Sequence, residues 1–199
     1  MQILLSCGLL DSKTLDGYVV RLKADFADAG KVPLIDLFKK INGGIRRFSM
    51  EIRSIRLKDD ADEWVMYYGL VNTEDDDVAK AHGIKHIFDE TELRFFSTKL
   101  LPKLLEQRYM NTDDVTALEV GSKAAKEKVH VLLERMEHSK WLSRGGDKGY
   151  WELGPRSYLE LRSHMETILK NMLDDDASDA QRDEAYADAK NALPQIVYY

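Results

Sequence analysis

Trp141-Leu142-Ser143-Arg144-Gly145-Gly146-Asp147-Lys148-Gly149-Tyr150-Trp151-Glu152-Leu153-Gly154-Pro155 reads as a β-hairpin, two short apolar–polar strands around a Gly-Gly-Asp turn. An amphipathic helix, Lys123 to about His138, leads into it with a stripe of Ala125, Val129, Leu132, Leu133 and Met136. Gly121-Ser122 starts that helix, and Asn111-Thr112 opens a shorter one around Asp113 to Leu118. Further upstream, Asp89 with Glu92 forms a capping-box pattern ahead of Leu93, Phe96, Leu100 and Leu104, which share a helical face. Pro102 falls inside this pattern and should kink or shorten the helix. Three helices feeding a hairpin is the element order of a winged helix-turn-helix unit.

The same order occurs earlier in the chain, with residues 1–10 read as a first helix. Leu15, Tyr18, Val19, Leu22 and Phe26 mark the next helix, capped by Asp11 or Ser12. Leu34, Leu37, Phe38 and Ile41 mark another, with Pro33 suited to its first turn and Gly43-Gly44 expected to end it. Phe48, Met50 and Ile52 then alternate as a strand. The phase slips before Ile55 and Leu57, which predicts a bulge, and Trp64 to Val71 makes the return strand. After Pro155 one more helix carries Tyr158, Leu161, Met165, Ile168, Leu169 and Met172. The expected fold is therefore mainly α with small β-hairpins (α+β), arranged as tandem winged-helix domains plus a C-terminal helix. The expected boundaries are 1–73, a linker at 74–88, 89–173, and an acidic tail at 174–199.

The 199 residues are 44% hydrophobic and 32% charged, with a net charge of −6. That balance argues against nucleic-acid binding by bulk charge, which rests on clustered Lys and Arg. Cys7 is the one cysteine, which excludes an internal disulfide or a multi-cysteine zinc site within these residues and fits a reducing compartment. No apolar run reaches membrane-spanning length. The apolar start lacks the basic flank and cleavage pattern of a signal peptide.

The candidate chemistry is sparse. His82 and His86 have ligand spacing, but Gly83 weakens a helix there and no closed ligand set surrounds them. The runs Asp75-Asp76-Asp77 and Asp174-Asp175-Asp176 read as solvated charge, and the Gly pairs at 43–44 and 145–146 do not open helices as phosphate loops do. No nucleophilic triad or paired-carboxylate site can be argued. The helix from Lys123 to Lys140 carries five basic residues against three acidic ones, yet its outward face includes Glu127 and Glu134. Two outward carboxylates oppose readout of base edges. Weak, non-specific DNA contacts are therefore confined to Lys126, Lys128, Arg135 and the wing residues Arg144 and Lys148.

Several segments resemble the non-SMC element one family. They are Tyr67-Tyr68-Gly69-Leu70-Val71-Asn72-Thr73, Ala79-Lys80-Ala81, Glu92-Leu93-Arg94-Phe95-Phe96, and the second wing from Lys140-Trp141-Leu142 to Gly149-Tyr150-Trp151-Glu152-Leu153-Gly154-Pro155-Arg156. Ile45-Arg46-Arg47-Phe48-Ser49-Met50-Glu51-Ile52-Arg53 is similar to the first strand of that family. The resemblance implies tandem winged helices in a scaffold subunit of the Smc-five/Smc-six complex, acting in DNA repair and recombination in the nucleus. It implies three partners: a MAGE-domain subunit (non-SMC element three), a kleisin subunit (non-SMC element four), and the Smc-five/Smc-six heterodimer. It also implies a zinc-binding RING that supports ubiquitin transfer. With one Cys, these residues hold no RING, so the expectation is a chain truncated before it, with no cofactor and no catalysis of its own.

Ile3, Leu4, Leu5, Leu9 and Leu10 exceed what one short helix needs for packing. They point to an obligate heterodimer contact on the first domain, with Leu4, Leu5 and Leu9 as anchors. Two other readings remain: a winged-helix DNA-binding regulator, which calls for net-basic recognition helices where this chain puts Glu127 and Glu134 outward, and an enzyme subunit acting only through the RING.

Overall fold

The computed structural model describes residues 4, 7–25, 32–59, 62–73, 88–118, 123–145, 149–173 and 178–199, with backbone alone at 23, 25 and 123–126. In chain order its elements are β1 Leu9–Asp11, α1 Ser12–Asp25, α2 Leu34–Ile45, β2 Met50–Lys58, β3 Trp64–Asn72, α3 Glu90–Phe95, α4 Leu101–Gln107, β4 Met110–Asn111, α5 Thr112–Ala117, α6 Lys123–His138, β5 Leu142–Arg144, β6 Tyr150–Leu153, α7 Pro155–Glu160, α8 Arg162–Asn171, α9 Asp179–Ala192 and β7 Ile196–Tyr198. The fold is α+β, as the sequence predicts. It divides into unit 1, Met1–Lys80 with Gln195–Tyr199, and unit 2, Ala81–Pro194.

Unit 1 places α1 and α2 against a four-stranded antiparallel sheet of order β1-β3-β2-β7. Asp11 starts α1 by accepting the Thr14 amide at 2.7 Å. A core of Leu4, Leu10, Leu15, Phe38, Ile45 and Ile52 joins the helices to one sheet face. Three details depart from the sequence reading. Residues 9–11 form a strand rather than the end of a first helix, because Gly8 takes a left-handed φ of 70° and redirects the chain. Gly43 and Gly44 do not end α2, whose buried residues Phe38, Asn42 and Ile45 carry it past them. Burial outweighs glycine's weak helical propensity there. The stop is instead a short 3-10 turn, Arg46–Phe48, closed by Ser49 at φ 55°.

The third departure concerns the bulge. The β2–β3 ladder runs unbroken from Met50↔Asn72 to Lys58↔Trp64. Met50 and Ile52 pack with the core, while Ile55 and Leu57 fall on the opposite face, where Ile55 is fully buried. The slip in the pattern marks a sheet apolar on both faces, with no extra residue in the backbone.

Unit 2 repeats the order strand, helix, helix, hairpin, and its three-stranded sheet is ordered β4-β6-β5. Its core holds Phe88, Phe96, Leu100, Leu133, Met136, Trp141 and Trp151 among others. The capping box forms as read: Asp89 accepts the Glu92 amide at 2.8 Å, and the Glu92 carboxylate accepts the Asp89 amide at 2.9 Å. Pro102 follows a widened π turn, Phe96–Leu100, that absorbs its missing donor and lets the helical path continue into α4. The hairpin pairs Leu142↔Leu153 through Arg144↔Trp151. Gly154 has no substitute at its position, since a Cβ would lie 2.4 Å from the Lys140 carbonyl oxygen. The single helix expected after Pro155 is two, α7 and α8, broken at Leu161. The segment read as an acidic tail contains α9 and β7, and β7 pairs with β2.

Candidate interaction surfaces

The outward face of α6 begins from its buried stripe. Val129, Leu132, Leu133 and Met136 turn inward, which leaves Glu127, Lys128, His130, Val131 and Glu134 exposed. His130 lies 3.6 Å from Glu134. The outward glutamates stand where the sequence puts them.

The expected DNA-contact residues divide sharply. Arg135 points to Glu92 at 2.5 Å, with its guanidinium 5.1 Å from the Phe88 ring centroid. Arg144 bonds Glu137 at 2.9 Å and stacks 3.8 Å over Trp151. Both cations are therefore committed to internal partners, where a phosphate would have to displace a carboxylate. Lys128 is exposed. The Lys126 side chain and Lys148 lie outside the described residues, as do His82 and His86. Among the described residues no group of His, Cys, Asp and Glu could hold a metal ion.

The expected partner anchors divide as well. Leu4 is 3% exposed and belongs to the unit 1 core, so it supports the fold from inside. Leu5 lies outside the described residues. Leu9 is half-buried opposite Gly69, while its neighbour Leu10 faces the core opposite Tyr68. The apolar side chains that do meet solvent include three the sequence reading did not single out, Val20 at 66% exposure and Ile35 and Val32 at 48%, and two it placed on apolar helix stripes, Leu22 and Leu37, at 40% or slightly more. Nine of the thirteen exposed large apolar residues among those described belong to unit 1, which places the sticky surface there. A helix position one step off a buried stripe looks like core in a periodic pattern, which is why sequence reading missed their exposure.

Electrostatics in unit 2 serve the fold. Burial, with the Glu152 carboxylate nearby, pushes the Tyr158 phenol up to about 12, so it stays protonated across the physiological range. Burial also raises the Glu160 carboxyl against the pull of Arg156, which bonds it at 2.6 Å.

No curated protein matches the chain. A family model described as the Nse1 non-SMC component of SMC5-6 complex matches residues 1–130. The match takes in the Met1–Lys80 part of unit 1 and the start of unit 2, ending inside α6, and the chain belongs to this family. It is thus a subunit of the SMC5-6 complex. The hairpin at 141–155 lies beyond the matched residues, so its place in the architecture rests on the fold.

Proposed function

We propose that the chain is a pair of winged-helix modules serving as a protein-binding scaffold, and that unit 1 docks the MAGE-domain subunit of the complex. The repeated strand–helix–helix–hairpin order and the shared first–third–second sheet order support the winged-helix reading. The observation that carries the binding role is the concentration of exposed apolar side chains on unit 1. The kleisin subunit and the Smc-five/Smc-six heterodimer are its further partners, in the nucleus and on chromosomes, in DNA repair and recombination. In the full-length protein a RING supports ubiquitin transfer, while these residues bind no zinc of their own. About one zinc per chain on elemental analysis overturns that last statement.

The test of the interface uses Val20→Asp and Ile35→Asp, made separately and together, with co-purification against the MAGE-domain subunit. Both side chains are already solvent-exposed, so the fold tolerates them. The double variant is expected to lose at least tenfold in affinity with an unchanged melting curve. Full binding by the double variant removes α1 and α2 from the interface.

A further inference from the structure

The last four residues of the described chain sit in a socket built by distant parts of unit 1. Ile196, Val197 and Tyr198 pair antiparallel with Ile55, Ser54 and Arg53 along the edge of β2. The Tyr199 carbonyl oxygen accepts from Asn42 Nδ2 at 3.1 Å and from Arg46 at 2.9 Å. The Tyr199 hydroxyl lies 2.6 Å from Ser54 Oγ, and its ring is 5.1 Å from Phe38. Tyr198 lies under the Arg53 guanidinium at 5.0 Å. The socket thus reads backbone through a strand edge and a carbonyl clamp, and reads side chains at two aromatic positions. Those are the elements of recognition by strand addition.

The arm that fills the socket is weakly held. From Ser178 to Tyr199 no residue is fully buried. Helix α9 is polar; at its exit Arg162 donates to the Pro194 carbonyl at 2.9 Å and the Lys190 carbonyl at 3.4 Å, Lys190 pairs with Glu166 at 3.1 Å, and the half-buried Leu193 packs against the unit 2 core. A segment with few buried contacts and a three-residue ladder opens at a small fraction of the global unfolding free energy. Opening leaves the edge of β2 unpaired, and an unpaired edge accepts another strand.

We propose that the β2 edge, flanked by Asn42 and Arg46, is a docking site for an extended apolar–aromatic strand, that residues 196–199 fill it as a detachable arm, and that release of the arm opens the site to a matching strand supplied in trans. The required pattern is apolar–any–aromatic–Tyr: Tyr198 is more exposed than Val197, 56% against 42%, and what calls for an aromatic side chain there is the Arg53 guanidinium over its ring.

Two measurements on the full chain test this. In hydrogen exchange, segment 195–199 is expected to exchange at least tenfold faster than β3 without global unfolding. Exchange of both only through global unfolding means the arm does not detach and overturns the proposal. In the second, a fluorescent peptide of residues 194–199, capped at both ends, is titrated into three chains: the unaltered one, Tyr199→Ala and Arg162→Ala. The two variants weaken the arm at its opposite ends and leave the socket residues Asn42, Arg46 and Ser54 unsubstituted, Tyr199→Ala removing only the hydroxyl partner of Ser54 and the ring against Phe38. Each is expected to bind the peptide at least tenfold more tightly than the unaltered chain, and adding Arg46→Ala is expected to reverse that gain. A peptide carrying Ala for its final Tyr is expected to bind at least tenfold more weakly than the matching peptide. Absence of peptide binding in both variants while their circular dichroism and melting match the unaltered chain overturns the site, as does binding indifferent to Arg46→Ala.

Discussion

The side-chain amide of Asn42 completes both main-chain hydrogen bonds of Ile52: its Oδ1 accepts the Ile52 amide at 2.8 Å, and its Nδ2 donates to the Ile52 carbonyl at 3.0 Å. Asn42 is fully buried, so neither Ile52 group has water to fall back on. Asn42→Ala strands a buried donor and acceptor at once. The expected loss is about 2–4 kcal/mol, read from urea unfolding. A loss within ordinary surface-substitution range shows that the pair is rescued by another partner.

Gly154→Ala tests the close approach at the hairpin's exit. The added Cβ meets three backbone atoms within 3 Å, at Lys140 and Leu142, and backbone cannot swing aside as a long side chain can. The expected cost is about 3 kcal/mol or more. Thermal melting checks it, and an unchanged midpoint contradicts the geometry.

The acid limb of stability follows from Glu51 and Glu166. Burial pushes the Glu51 carboxyl up, but hydrogen bonds from Arg46 and Arg53 outweigh it and hold it below its ordinary 4.5. Glu166 is held low in the same way, against burial, by Arg162 and Lys190. A depressed folded-state value means stability that is present above pH 4.5 and lost as the pH falls through the folded-state values. Unfolding free energy should therefore decline below pH 4.5, and Glu51→Gln with Glu166→Gln should flatten that decline while lowering stability at neutral pH. An undiminished acid decline in the double variant assigns it to other carboxylates.

Arg135 separates a structural role from a nucleic-acid role. Its ion pair with Glu92 joins residues 43 positions apart. Arg135→Ala should lower the melting temperature and leave any duplex-DNA affinity within about twofold, whereas a phosphate contact reduces the salt slope by about one. A changed salt slope with an unchanged melting temperature reverses the assignment.

Local chemistry was legible from the sequence, and long-range use of it was not. Asp89 and Glu92 declare their capping box because the signal lies within three residues. The hairpin at 142–153 declares itself by alternation around glycines. Arg135 and Arg144 look like phosphate contacts until Glu92 and Glu137 are brought beside them, which no local pattern announces. Leu4 looks like surplus apolar surface until Phe38, Ile45 and Ile52 close over it. The Tyr199 socket is furthest from view, since Asn42 lies 157 positions away. Its only trace was the apolar run at the end of a polar helix.

In the proposed function unit 1 docks a protein partner and α6 does not read DNA. Calorimetric titration of the chain with the MAGE-domain subunit, beside titration with duplex DNA at physiological salt, tests both halves in one comparison. The predicted result is a stoichiometric protein complex with submicromolar Kd, and DNA binding that is weak, indifferent to sequence and lost on raising the salt. Submicromolar, sequence-selective DNA binding by a folded chain that ignores the MAGE-domain subunit contradicts it.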